Sequence, residues 1–245
     1  GAKGGQPPSP ETLIARMYET WGLDMLPRIR GMFAFILWDA SEDRLLLVRD
    51  RIGTKPLYYH LDGPCFAFAS EIKSLLLVPE FTRRVNMTAL FDLLGHLHLP
   101  GANTVFEGIV AIPPAHYLLV ESGRVRQHSY WDLEFTSVDD RSENEWCEEL
   151  LTLLSASVER ALEGLDSPAI ALSGGVDSAG IAAIAARCGG QTLRTFSNGF
   201  RPSGRQGSEV CELERARFMA RSLGTNHFET IADPQQLLET LPDIL

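Results

Sequence analysis

Residues Ala169 to Ser178 read AIALSGGVDS, a short apolar strand that runs through two glycines into the first turn of a helix. No other stretch constrains the fold as much. After it come a helix, a strand at TLRTFS, a second helix and a strand at NHFETI. Alternating strands and helices imply a parallel sheet with helices packed on its faces. Just upstream, Ser142 is placed to cap a helix whose Trp146, Leu150, Leu154, Val158 and Leu162 lie on one side.

The first half follows a different grammar. Ser9 and Pro10 suit the N-cap and first position of a helix carrying Leu13, Ile14, Met17, Tyr18 and Trp21. Short β-type segments follow at Met32 to Asp39, Arg44 to Asp50, Pro56 to His60 and Cys65 to Ser70, separated by turn residues. Asn86 is a cap for a helix through Leu94, and HYLLVESGRVRQHSYW reads as a hairpin turning at Ser122-Gly123. The polar stretch Thr136 to Glu145 separates the two grammars. The expected division is therefore residues 1–138 and 139–245, with antiparallel strands dominating the first part.

Of the 245 residues, 44% are hydrophobic, enough for one large core or two small ones. No apolar run reaches the roughly 20 residues of a membrane-spanning helix. The net charge of −10 disfavours attraction to nucleic acid phosphates. Cys65, Cys147, Cys188 and Cys211 are far apart, without a CxxC pair or a nearby histidine cluster, so neither a disulfide framework nor a zinc site is suggested. A reducing, cytoplasmic setting fits that usage. Cys65, inside CFAFAS, is expected to be a small buried thiol.

The chemistry concentrates in the Gly-rich loop. At the carboxyl end of a parallel strand, the free amides and positive dipole of the next helix attract anions. Gly174 and Gly175 let the backbone curl around phosphate oxygens, Ser173 and Ser178 offer hydroxyls, and Asp177 is placed to hold a Mg2+ ion bridging those oxygens. The same letters also suit a plain strand-to-helix turn with polar first-turn residues. Two serines, an aspartate and the strand–loop–helix context together favour the anion reading. There is no Gly-Lys-Ser/Thr, so γ-phosphate transfer is not what the loop advertises. Cleavage between α and β phosphates, forming an adenylate, suits it better.

Leu172 to Ser178 resembles the pyrophosphate loop of the ATP-pyrophosphatase group, and the wider sequence resembles the glutamine-hydrolysing asparagine synthetase family. The segments carrying the resemblance are Arg28 to Asp39, Arg49 to Tyr59, Ala69 to Leu76, Ile112 to Leu118, Arg126 to Leu133 and Ala171 to Ala179. It implies an α+β glutaminase portion of the N-terminal-nucleophile type, followed by an α/β parallel-sheet ATP-pyrophosphatase domain. It also implies Mg-ATP, glutamine or ammonia, and an aspartate side chain adenylated and then amidated; a homodimer is compatible with it. FSNGF resembles the next strand end, where backbone meets adenine, which adds Leu172 and Asn198 as ATP neighbours. Glu212 and Glu214 match the following helix.

The sequence also departs from that family. Its glutaminase uses an N-terminal cysteine as nucleophile and base in one residue, whereas this sequence opens on Gly1. Pro10 stands where the family has an aspartate contacting the glutamine amino group. These departures lead to the expectation of a chain partial at both ends, without a working glutaminase. Related cyclases of the β-lactam synthetase or lasso-peptide type, and a catalytically silent nucleotide-binding scaffold, are the alternatives. Arg49, Asp50, Arg51 and Lys55 are expected to make a local ion-paired surface or an interdomain contact. Glu71 and Lys73 either line a route between domains or simply begin a helix. The six histidines, including His60 and His227, show no metal spacing and are assigned to the surface.

Overall fold

The computed structural model describes residues 8–79, 81–135, 140–188, 192–200, 212–232, 235 and 238–240. Gly1, residues 136–139 of the expected junction and Cys211 lie outside them. The chain forms two compact units, Gly1–Thr136 and Ser137–Leu245.

In the first unit, α1 (Pro10–Trp21) starts at Ser9, whose hydroxyl accepts from the Thr12 amide, and a 3-10 turn (Gly22–Arg28) follows. Then come β1 (Ala34–Asp39), β2 (Arg44–Arg49), β3 (Tyr58–Asp62), β4 (Cys65–Ala69), α2 (Ile72–Leu75), α3 (Met87–His96), β5 (Ile109–Ala111), β6 (His116–Glu121) and β7 (Arg124–Ser129). They make two antiparallel sheets, ordered β1-β2-β6-β7 and β4-β3-β5. Leu47 and Leu118 of the larger sheet pack with Leu57, Tyr59 and Phe66 around the smaller one. The larger sheet's other face, with Leu46, Val48 and Leu119, meets Ile14, Met17, Met25 and Leu26. The smaller sheet's other face meets Ile72, Leu75 and Phe81. The order is helix, sheet, sheet, helix. A strand buried on both faces has no polar alternate positions, which is why β2 reads Leu45-Leu46-Leu47-Val48.

Two expectations change here. The segment read from Pro56 starts pairing only at Tyr58, because proline has no amide to give the ladder. Cys65 is half-buried rather than buried, on the edge strand β4. Glu71 and Lys73 do begin a helix, α2, and form a surface ion pair at 2.8 Å.

The second unit starts at Ser142, which forms a capping box with Glu145 for α4 (Glu143–Leu162). β8 (Ala169–Ala171), α5 (Val176–Cys188), β9 (Arg194–Phe200), α6 (Glu212–Leu223) and β10 (Asn226–Ala232) follow. The three strands are parallel, ordered β10-β9-β8. Among the described residues α5 and α6 cover one face, meeting Leu172 and Ile170, while Phe196 and Phe228 stack 5.0 Å apart and half-exposed on the other. The expected parallel sheet with packed helices is found, and topology places α5 and α6 on the same side of it. Two right-handed crossovers stepping the same way across a sheet put both helices on one side.

The apolar stripe of α4 is only partly used. Val158 and Leu162 pack on Ile184 and Ala185 of α5, but Trp146 is 45% and Leu150 64% exposed. Helix length explains this: α4 has 20 residues and α5 has 13, so α5 backs only part of its partner.

Candidate functional site

β8 ends at Ala171, and the chain turns through Ser173, Gly174 and Gly175 before α5 begins at Val176. Leu172 fixes the exit. Its side chain is buried with Ala182, Ala216 and Ala220, its amide donates to Phe196 O at 2.7 Å, and its carbonyl accepts from the Ser197 hydroxyl. Both backbone groups of Leu172 thus serve β9, and its carbonyl keeps a second lone pair.

Ser173 and Ser178 close the loop. The Ser173 amide donates to Ser178 Oγ at 3.2 Å, the two hydroxyls lie 2.9 Å apart, and Ser178 Oγ donates to Gly175 O at 3.2 Å. A hydroxyl has one proton. Ser178 gives its own to Gly175, so Ser173 is the donor between the two hydroxyls. Ser173 also accepts from the Gly175 amide at 3.4 Å. The Ser173 proton rests on Ser178 Oγ, and rotation about the Cβ–Oγ bond would redirect it toward an arriving anion. As at every helix start, the first-turn amides have no intrahelical acceptor, and the dipole favours negative charge there. Asp177 is exposed in that first turn.

Gly174 has no alternative residue. Its φ is +78°, and a methyl built on it would fall 2.7 Å from Arg215 Cβ and 2.8 Å from both Glu212 O and Ala216 N. The loop therefore rests on the first turns of α6. A methyl at Gly175 would make only an ordinary van der Waals contact, 3.5 Å from Ser173 Oγ, so this position is not closely packed. Asn198 is exposed toward the end of β9, beside the loop, since Ala171 pairs with Phe196. Of the seven residues expected to meet ATP, Ser173, Gly174, Gly175, Asp177, Ser178 and Asn198 converge at one end of the sheet, and Leu172 supports them from below.

Three groups of residues were not legible as part of this site. A methyl at Gly199 would overlap the Leu213 side chain of α6, and glycine inside a strand is the available signal. Ser197 lies behind Leu172. Arg217 of α6 forms a two-point ion pair with Glu229 of β10, at 2.7 Å for each bond. That guanidinium holds the Glu229 carboxyl below its usual range, burial opposing it. Their sequence signal is polar residues at alternate positions of parallel strands, Thr195 and Ser197, then His227 and Glu229.

The charged segment after β2 is not ion-paired as expected. Asp50 is fully buried, and its carboxylate accepts from the amides of Phe33, Ile52, Thr54 and Lys55 at 2.9–3.3 Å. Burial pushes this carboxyl up, and the four amides outweigh it, leaving it below the usual range. Arg49 donates to three carbonyls, of Gly53, Lys55 and Ile112, and Arg51 donates to Pro27 O and stacks on Trp131. Amide and carbonyl partners suffice because each charged group finds a set of matching backbone dipoles. Two histidines also leave the surface. His60 is 5% exposed, bonded to Gly108 O and edge-on to Phe81, and the His227 ring lies between Thr195 and Glu229.

Residues 9–131 match the family described as "Glutamine amidotransferase domain", and residues 149–245 match the one described as "Asparagine synthase". The chain is 31% identical over 242 residues to asparagine synthetase [glutamine-hydrolyzing] 3 of Bacillus subtilis, covering 94% of this chain and 39% of that protein. It is 36% identical over 179 residues to the amidase chry2 of Gibberella zeae, covering 70% of this chain and 26% of that protein. A putative glutamine-hydrolyzing asparagine synthetase of Mycobacterium bovis is 28% identical over 93% of this chain and 35% of its own length. The chain thus spans well under half the length of these relatives.

Proposed function

Because the chain belongs to the family that joins a glutamine amidotransferase domain to an asparagine synthase domain, we propose that its Ser173–Ser178 loop binds the phosphates of ATP. In the full-length protein we place that loop in an ATP-dependent carbon–nitrogen ligase that adenylates the aspartate side chain and amidates it. In this reading residues 1–138 are glutaminase-type, of the N-terminal-nucleophile fold. Residues 139–245 begin an ATP-pyrophosphatase domain, and the setting is cytoplasmic. The observation carrying it is the loop itself, with open first-turn amides, a Ser173 hydroxyl held only by its neighbour Ser178 on the donor side and a backbone braced by α6.

A free carboxylate is a poor electrophile, and adenylation gives it a good leaving group. In this reading Gly174 and Gly175 admit the pyrophosphate oxygens, Ser173 and Ser178 donate to them, and Leu172 and Asn198 border the nucleoside. Fixed donors aimed at the departing charge are what such a step needs. Asp177 would hold Mg2+, which would neutralise phosphate charge. Among the described residues no cluster of three or more metal-binding side chains exists. Magnesium held by one carboxylate plus substrate phosphates would need no such cluster.

The test is pyrophosphate and AMP formation from ATP and aspartate by the full-length gene product. Ser173→Ala and Asp177→Ala are expected to slow it by about 100-fold or more while the fold is kept. Unchanged rates in both variants would remove the loop from the reaction.

A further inference from the structure

Both arms of the candidate nucleotide site lean on the same piece of α6. Gly174 of the loop is in contact range of Glu212, Arg215 and Ala216, and Gly199, next to Asn198, faces Leu213. Leu213, Ala216 and Ala220 are the buried positions of that helix, spaced by three and four residues. Arg217 continues the same face, and instead of apolar packing it meets Glu229 through two bonds of 2.7 Å. Glu229 is itself backed. His227 Nε2 lies 3.4 Å from it, and His227 Nδ1 lies 2.9 Å from Thr195 Oγ1, which also meets Thr225 Oγ1 at 2.9 Å.

We propose that the Arg217–Glu229 pair, backed by His227 and Thr195, is a latch that positions α6 and through it sets the geometry of the Ser173–Ser178 loop. The proposal rests on the reading of that loop as an anion site. Its physical basis is the absence of slack at Gly174, where even one methyl group has no room. A shift of α6 by a fraction of an ångström either presses on the loop or leaves it unsupported. Arg217 follows directly on Arg215 and Ala216, which touch the loop, so the transmission is through a single rigid helix. A planar fork on a carboxylate fixes both distance and rotation, which a single contact does not. Arg217 and Glu229 are positioning residues, since neither lies at the loop itself.

The experiment compares the full-length gene product with its Glu229→Gln, Arg217→Met and Arg217→Lys variants. It also includes Val158→Ala, which opens a cavity between α4 and α5 away from the latch. Affinity for magnesium pyrophosphate is measured by calorimetry and loop mobility by amide hydrogen exchange at Gly174, Gly175 and Val176. Glu229→Gln and Arg217→Met are expected to weaken pyrophosphate by roughly five- to tenfold and to speed exchange at those amides. Arg217→Lys should recover to within about threefold, and Val158→Ala should lower thermal stability with neither effect. Wild-type affinity and exchange in both latch variants would overturn the latch. If the wild-type chain itself fails to bind pyrophosphate, the anion reading falls, and the exchange data alone decide the latch: faster exchange supports it and unchanged exchange sinks it.

Discussion

Two strand-end loops in this chain solve the same problem in opposite ways. The segment after β2 gathers three of its own amides and that of Phe33, and the chain fills them with its own Asp50 carboxylate, while Arg49 takes up carbonyls of Gly53, Lys55 and Ile112. The segment after β8 gathers the first-turn amides of α5 and offers only two hydroxyls, Ser173 donating to Ser178 and Ser178 to the Gly175 carbonyl. Each loop is pinned by a glycine at positive φ against a neighbour, Gly53 on Pro114 and Gly174 on α6. An amide cradle filled from within is a structural knot. One left open at a helix N-terminus is a place for an external anion.

The sharpest way to break this comparison is to empty the filled cradle. Asp50→Ala strands four part-buried amides together with the Arg49 contacts they organise, and should cost about 3 kcal/mol in the first unit. Thermal unfolding followed by circular dichroism checks it, with pyrophosphate affinity expected to stay at the wild-type value. If Asp50→Ala unfolds at the wild-type temperature, the knot is not structural. Next in size is Gly174→Ala, which adds a methyl at φ +78° against Arg215, Glu212 and Ala216. Strain and overpacking together should cost about 2 kcal/mol, read as a lowered denaturant midpoint. Gly175→Ala, whose methyl would meet only Ser173 Oγ at an ordinary 3.5 Å, should cost well under half of that.

The element pattern was legible because periodicity survives folding. Ser9, Asn86 and Ser142 cap the helices they were assigned to, and the hairpin turns at Ser122-Gly123. What escaped was whatever depends on residues distant in sequence. Nothing in RDR says that its charges will bind backbone dipoles rather than each other, since the partners Phe33 and Ile112 lie far along the chain. The exposed half of α4 could not be foreseen from its stripe, because exposure depends on where α5 ends. Within the site, the letters of the loop were readable, but its support by Leu213, Arg215 and Ala216 was not. Helix-to-loop bracing leaves no local signature beyond the glycine.

A smaller effect sharpens the open cradle. Ser173→Ala removes the hydroxyl that joins Ser178 and accepts from Gly175, and the exposed site lets water replace it. The cost in stability should be about 0.5–1 kcal/mol, in contrast to the loss of activity expected above. Equilibrium urea unfolding is the check. A cost as large as that of Asp50→Ala would mean the second loop is also a knot, and the contrast between the loops would collapse.

The smallest effect is the most discriminating, because it asks what acid does to each loop. Asp50 sits below the ordinary aspartate value in the folded chain, with burial overcome by the amides of Lys55, Thr54, Phe33 and Ile52. A carboxyl depressed by folding binds more protons when unfolded, so its stabilisation is complete above the unfolded value near ~4 and drains away as pH falls through the folded one. Stability of the first unit should therefore decline below about pH 4, and Asp50→Asn should flatten that decline. Glu229 follows the same sign in the second unit, held down first by Arg217. Being partly exposed, it should contribute the shallower slope. The Ser173 loop holds its shape with hydroxyls, which do not titrate in this range, so Ser173→Ala should leave the acid slope unchanged. A steeper acid loss in Asp50→Asn than in the wild type would show that the first cradle is not held by the carboxylate's charge.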